Sequence, residues 1–240
     1  MPQVQQSAVR NRLLAALPPD DFALLADHLR PVGLELKQVL HEPGRPIRAA
    51  YFPEGGMVSM LAPLEDGHLM EVGIVGREGL VGLAVALGGE SATTEAMVQM
   101  EGPALRVRPA ELRAAFERSA GLRTLLLRYV LAHQAQVTQT AACNGHHQVD
   151  GRLARWLLIM HDRAEADEFP ATHEFLSLML GSRRPSISVA AAVLQRAGAI
   201  RYRHGHVAVL DRAGLEAASC ECYGVVREQF DELLGAPSAG

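Results

Sequence analysis

The stretch 171–211, ATHEFLSLMLGSRRPSISVAAAVLQRAGAIRYRHGHVAVLD, constrains the fold of this chain most. Thr172 is a good N-cap for a short helix whose buried side would be Phe175, Leu176, Met179 and Leu180. Gly181 offers the positive φ that a tight turn between crossed helices needs. Ser182 then reads as the N-cap of a second helix, with Arg183, Arg184 and Pro185 in its first turn. Proline costs little there, because first-turn N–H groups have no intrahelical partner. Ile187, Ala190, Ala191 and Leu194 share its inner face. Gly198 ends it, and two strand-like pieces, 200–203 and 207–210, flank His204-Gly205-His206. Helix, turn, helix and hairpin in this order make a winged helix-turn-helix.

Charge agrees with that reading. The whole chain of 240 residues carries a formal charge of −4, with no bulk basic character. Between Thr172 and Leu210, however, five arginines (183, 184, 196, 201 and 203) face a single acid, Glu174. The remainder holds 18 cations and 26 anions, so the one cationic region coincides with the second helix and the hairpin. In a helix-turn-helix the N-terminal residues of the second helix point at base edges in the major groove. Arg183, Arg184, Ser186 and Ser188 are placed for that, and Arg can bond bidentately to guanine while Ser and Thr, including Thr172, hold phosphates. Arg201, Arg203 and His204 on the wing would meet the backbone. Double-stranded DNA is the expected partner.

Upstream the texture differs. Residues 7–30 read as two short helices broken at Pro18-Pro19, with Leu13, Leu14, Leu17, Phe22, Leu25 and Leu29 inward. Asp20 or Asp21 is the expected cap of the second, and Pro31 its stop. From 32 to 108, short apolar runs alternate with turn signals at Pro43-Gly44, Gly55-Gly56, Asp66-Gly67, Gly76 to Gly79 and Gly88-Gly89. That spacing suits an antiparallel sandwich, barrel or roll, with strands such as 49–52 and 57–61. Pro109 opens a helical regime with a break at Ser119-Ala120-Gly121. Beyond it Leu122, Leu125, Leu126, Tyr129, Val130, His133 and Val137 form a 3–4 seam on a helix ending near Asn144-Gly145. A helix that long needs a partner for its seam, either a domain core or a second copy of itself. Another helix is expected over 147–163, followed by an acidic loop.

The whole pattern resembles the Crp/Fnr-type transcription regulators, the group of the cyclic-AMP receptor protein, over residues 10–235. The roll segment VGREGLVGLAVALGG and the reader block THEFLSLMLGSRRPSISVAAAVLQRAGAI carry the likeness. The resemblance implies an α+β chain: an N-terminal antiparallel β-roll sensor (1–108), a dimerisation helix (109–145) and a C-terminal winged helix-turn-helix (146–240). It implies a homodimer on a pseudo-palindromic site, with Leu122, Leu126, Tyr129, Val130, His133 and Val137 at the dimer interface, and RNA polymerase as a further partner. Two departures stand out. The family's recognition helix carries an Arg-Glu pair and a second Arg one turn on; aligned on Gly181 and Leu194, those positions are Arg184, Pro185 and Val189. In the roll, the Glu and Arg that grip a cyclic nucleotide become Leu83 and Thr93. An effector other than cyclic AMP is therefore expected, in a pocket at Gly82, Leu83, Thr93 and Thr94.

Other chemistry is thinner. Cys220-Glu221-Cys222 with distant Cys143 and His146-His147 could be metal or redox ligands, but a lone C-x-C is a weak signal. His28, His41, His68 and His133 are candidate haem ligands. His204-Gly205-His206 is similar to the H-x-H of cupin metalloenzymes, without the Glu and further His that motif needs. No cofactor or metal, and no enzymatic activity, is expected. A metal, haem or thiol redox-sensing regulator of the same fold, or a cupin-type enzyme, stand as alternatives. The N-terminus has no apolar signal-peptide core, and no run reaches the ~18 apolar residues of a membrane span. The expectation is a cytoplasmic protein with reduced thiols and no membrane partner.

Overall fold

In the computed structural model, which describes residues 3–164 and 166–235, two short helices lead the chain: α1 (Arg12–Ala15) and α2 (Pro19–Ala26). Buried Asn11 starts α1. Its Oδ1 accepts the Leu13 and Leu14 amides at 3.2 Å each, and its Nδ2 donates to the carbonyls of Pro53 and Gly79 at 2.9 Å each. Pro18, not an aspartate, occupies the cap of α2; Asp20 and Asp21 sit in its first turn, facing the positive end of the helix. The helix ends before Pro31, which lies instead in the first strand. All six apolar residues expected inward over residues 7–30 are buried, although Leu17 and Leu29 fall just beyond the ends of the two helices.

Seven strands follow: β1 (Arg30–Leu34), β2 (Val39–His41), β3 (Ala50–Pro53), β4 (Met57–Pro63), β5 (Leu69–Val75), β6 (Glu95–Met100) and β7 (Gly102–Val107). They form two sheets, ordered β1-β7-β3 and β2-β6-β4-β5. The β1–β7, β3–β7, β2–β6 and β4–β6 ladders are all antiparallel. Leu34, Val58, Val75, Val81, Ala96, Val98 and Ala104 form a buried cluster between them. The turn before β4 requires glycine: Gly56 has φ +70°, and a Cβ there would lie 2.4 Å from the Met100 carbonyl oxygen.

The helical regime is α3 (Pro109–Arg118) and α4 (Ala120–His146), broken at Ser119. The Ser119 hydroxyl accepts the Leu122 amide at 2.8 Å and donates to Asp21 at 2.6 Å, which caps α4 and ties it to α2. Then come α5 (Val149–His161), β8 (Glu168–Pro170), α6 (His173–Met179), α7 (Arg184–Arg196), β9 (Ile200–Arg203), β10 (His206–Val209), α8 (Arg212–Ala218) and α9 (Cys222–Leu234). The expected acidic loop, of which Glu165 lies outside the described residues, contains a strand: β8 pairs with β10, giving a sheet ordered β8-β10-β9.

Two compact units result, one of residues 3–63, 73–134 and 229–235, the other of 64–72 and 135–228. In the first, Arg12 pairs with Asp231 at 3.3 Å and the Phe230 ring packs edge-on against Tyr129. In the second, Arg212 binds Asp162 at 2.6 Å, Glu216 at 3.0 Å and the Tyr223 hydroxyl at 2.6 Å, and Tyr223 in turn donates to Asp162. This network joins the end of α5 to α8 and α9. No helix among the described residues is long and apolar enough to cross a membrane.

Candidate nucleic-acid interface and effector cavity

Thr172 caps α6, its Oγ1 accepting the Phe175 amide at 3.2 Å. Gly181 turns the chain with φ +53°. The cap of α7 then falls one residue later than expected. Ser182 donates its hydroxyl back to the Leu180 carbonyl at 3.2 Å, leaving the cap position to Arg183, whose side chain makes no capping bond. In that first turn Pro185 carries no N–H and the Ser186 amide bonds the Arg183 carbonyl at 2.9 Å, so the turn offers a partner its arginine side chains rather than a row of open amides. Ile187, Ala190, Ala191 and Leu194 are buried, which turns the opposite face outward.

On that face Arg183, Arg184, Pro185 and Ser186 are exposed. Ser188 departs from the expectation. It is half-buried, with its hydroxyl 2.9 Å from Nδ1 of His173 and 3.1 Å from the Arg184 carbonyl, so it holds the helix to its neighbour. Val189, by contrast, is 65% exposed and faces away from the core. In the sequence it stands out only as a lost arginine; its place off the Ile187–Ala190–Ala191–Leu194 stripe is the signal that it faces outward.

The wing turns at His204 and Gly205, with φ of 49° and 79°, the left-handed pair that a two-residue hairpin requires. Arg201 and Arg203 project from one side of β9 and are exposed, as is His204. Tyr202, on the other side, stacks on His173 with ring centroids 4.2 Å apart. Glu168 on β8 lies 3.6 Å from Arg201. Burial holds the His173 imidazole below its ordinary pKa, and the Arg184 charge adds to that effect. The second unit thus gathers Thr172, Arg183, Arg184, Ser186, Arg201, Arg203 and His204 as exposed groups of one helix-turn-helix and its wing.

The first unit brings Gly82, Leu83, Thr93 and Thr94 to a single cavity of about 150 Å³, with His41, Tyr129 and His133 also on its wall. Among the described residues, no arginine lines it. Burial lowers the pKa of His41, which bonds the Ala49 carbonyl at 2.7 Å, and that of His133. Of the other histidines considered for haem, His28 and His68 are exposed and line no part of this cavity.

The seam of α4 faces inward. Leu122, Leu126 and Tyr129 are buried in the first unit, His133 lines the cavity, and Val130 and Val137 are half-buried. A Cβ on Gly79 would sit 2.3 Å from the Tyr129 hydroxyl, a measure of how closely the roll encloses that ring. A partner helix cannot reach Leu122, Leu126 or Tyr129 without opening this core. The large apolar groups that α4 leaves outside are Leu127, 46% exposed, and Leu131, 55% exposed.

Residues 151–218 match a family described as the Crp-like helix-turn-helix domain. Among solved structures, the chain is similar to FixK2 from Bradyrhizobium japonicum, at 17% identity and a TM-score of 0.68, covering 80% of this chain and 98% of that one. It is similar to a CRP-family transcriptional regulator from Thermus thermophilus, at 25% identity and a TM-score of 0.65, over 78% and 96% of the two chains. It is also similar to the c-di-GMP-responsive global regulator CLP of Xanthomonas campestris, at 17% identity and a TM-score of 0.63, over 80% and 99%. No curated protein matches it in sequence.

Proposed function

From the premise that this chain is a DNA-binding transcription regulator of the Crp/Fnr family, we propose that it acts as a homodimer on a pseudo-palindromic operator. The observation that carries this reading is the exposed start of α7, Arg183 to Ser186, beside two exposed wing arginines in a chain that is otherwise acidic. Arg184 reads a guanine through its fork of donors, and Val189 meets a thymine methyl. Arg183, Ser186, Thr172 and the wing residues Arg201, Arg203 and His204 hold phosphates. With Pro185 and Val189 at positions where the family carries Glu and Arg, the half-site differs from the family's usual one.

The dimer forms through the outward stripe of α4 that contains Leu127 and Leu131, rather than through the inward seam. Each chain then presents one recognition helix, and the two-fold axis of the protein imposes two-fold symmetry on the site. The protein works in the cytoplasm, where DNA and RNA polymerase are found, and polymerase is its further protein partner. It is not an enzyme: its function is exerted through binding.

The cavity takes no cyclic nucleotide. At about 150 Å³ it is smaller than the ~300 Å³ at which drug-sized ligand sites begin, and no guanidinium stands ready for a phosphate. An effector of this site is a small neutral molecule bonded by Thr93, Thr94 and the two imidazoles. Haem does not fit that volume. His204 and His206 stand in the wing, outside the roll, which removes the basis for a cupin-type metal centre.

Sedimentation equilibrium of the protein, alone and with an operator duplex, tests the assembly. Two chains per duplex support the reading; one chain per duplex at saturation overturns it.

A further inference from the structure

Two pairs of side chains that lie far apart in sequence converge in the second unit: Cys143, His147, Cys220 and Cys222 place their donor atoms within 4.8 Å of one another. Cys143 and His147 are one helical turn apart at the end of α4, joined by the His147 amide bonding the Cys143 carbonyl at 3.0 Å. Cys220 and Cys222 bracket Glu221 where α8 gives way to α9. The Cys143 and Cys220 sulfurs are 3.5 Å apart, and the Cys222 sulfur is 3.5 Å from Nδ1 of His147. A tetrahedral zinc with Zn–S bonds near 2.3 Å has ligand-to-ligand edges of about 3.8 Å, a little shorter to nitrogen. The two separations of 3.5 Å are close to such edges, and all four donors fall within 4.8 Å.

We propose that Cys143, His147, Cys220 and Cys222 form a Cys3His site for a thiophilic divalent ion, with zinc the best match, which clamps the end of α4 to the α8–α9 connection.

The surroundings are those of a ligand set rather than of packed thiols. Nε2 of His147 lies 3.2 Å from the Glu221 carboxylate, so the ring is held with Nδ1 turned towards the sulfurs. A carboxylate on the far nitrogen is the usual support of a metal-bound histidine. The Gln139 side-chain amide donates to the Cys222 sulfur at 3.0 Å. On binding, three thiol protons leave to solvent and three thiolates plus a divalent cation retain one negative charge. Arg155 and Arg152, both buried, stand close enough to offset it. The three sulfurs and the imidazole together supply four donors, closing the coordination shell as structural zinc sites do, with no position left for substrate.

The inference does not depend on the DNA-binding reading, and its test uses no DNA. The full chain, reduced and stripped with a chelator, is titrated with Co²⁺ while absorbance and free thiols are followed. One equivalent should produce sulfur-to-cobalt charge transfer in the near ultraviolet and strong tetrahedral d–d bands, with loss of all three free thiols. Zn²⁺ should then bleach those bands and raise the midpoint of thermal unfolding. Cys143→Ser and Cys222→Ser should abolish the charge-transfer band. Glu221→Gln should keep the band positions and weaken affinity by roughly 10–100-fold, and His146→Ala should change nothing. If the cysteine variants do not fold, the wild-type titration decides alone. Three thiols that remain reactive in the presence of Co²⁺, or cobalt bands that survive Cys143→Ser, overturn the proposal. So does a Cys143–Cys220 disulfide that forms and persists under excess zinc and reductant.

Discussion

His173 lies nearly flat against Tyr202, its ring centroid 4.2 Å away and its plane tilted by 25°, so the first helix of the reader touches the wing directly. Its Nδ1 also meets the Ser188 hydroxyl at 2.9 Å on α7. One imidazole therefore fixes the recognition helix and the wing relative to each other. Replacing His173 with Ala should weaken operator binding by about 1 kcal/mol, the worth of a typical hydrogen bond, while the protein stays folded. Titration of a fluorescent operator duplex, with circular dichroism as the folding control, checks it. Unchanged affinity would mean that the wing needs no such brace.

Arg184→Ala should cost about 1–3 kcal/mol of specific affinity and relax the preference at one base pair of each half-site. Competition with single-position operator variants measures this. Equal losses on specific and random DNA would make Arg184 a phosphate contact.

Arg203→Ala should act differently, weakening specific and non-specific binding together and shallowing the slope of log affinity against log salt by about one contact. The comparison is a salt series on wild type and variant. An unaltered slope removes the wing arginine from the backbone.

Much of this interface is legible in the sequence because its signals are local. A cap at Thr172, a glycine with positive φ at 181 and an apolar stripe from Ile187 to Leu194 each act within a few residues. The departures come where a local rule meets a non-local alternative. Ser182 has the chemistry of a cap, but its hydroxyl bonds the Leu180 carbonyl instead. Strand β8 is three residues ending in a proline, too short for its alternation to mark it, and its pairing with β10 makes it a strand. The α4 seam is apolar as its spacing indicates, yet periodicity cannot say whether a stripe is buried against its own roll or against a second chain. The cysteines illustrate the same limit: 77 residues separate Cys143 from Cys220, and only the fold brings them to 3.5 Å.

The two faces of α4 predict opposite outcomes. Leu131→Asp should produce monomers of near-normal stability, because its side chain is largely solvent-facing in the single chain. Leu126→Ala should leave the dimer intact but lower stability by about 2–5 kcal/mol, as a large-to-small change in a core does. Sedimentation and chemical denaturation of both variants separate these effects. Monomers from Leu126→Ala with unchanged unfolding would return the interface to the inward seam.

Acid should destabilise the chain. His41, His133 and His173 are each held by burial below the ordinary imidazole value, although the Ala49 carbonyl opposes this for His41 and the Glu78 charge opposes it for His133. With folded pKa values below the unfolded one, the unfolded state binds more protons, so the penalty is absent above about pH 6.5 and grows as pH falls below it. Denaturation midpoints from pH 8 down to about pH 5 should fall for wild type and less steeply for His133→Asn. Parallel curves would show that His133 is not a contributor.

The most direct test of a dimeric, sequence-reading regulator is selection of bound duplexes from a random pool at about 0.15 M salt, close to physiological ionic strength. The expected product is a two-fold symmetric motif whose half-sites are centred roughly 34–36 Å apart, one turn of the double helix. A pool that converges on an asymmetric single site, or on no motif at all, would contradict it.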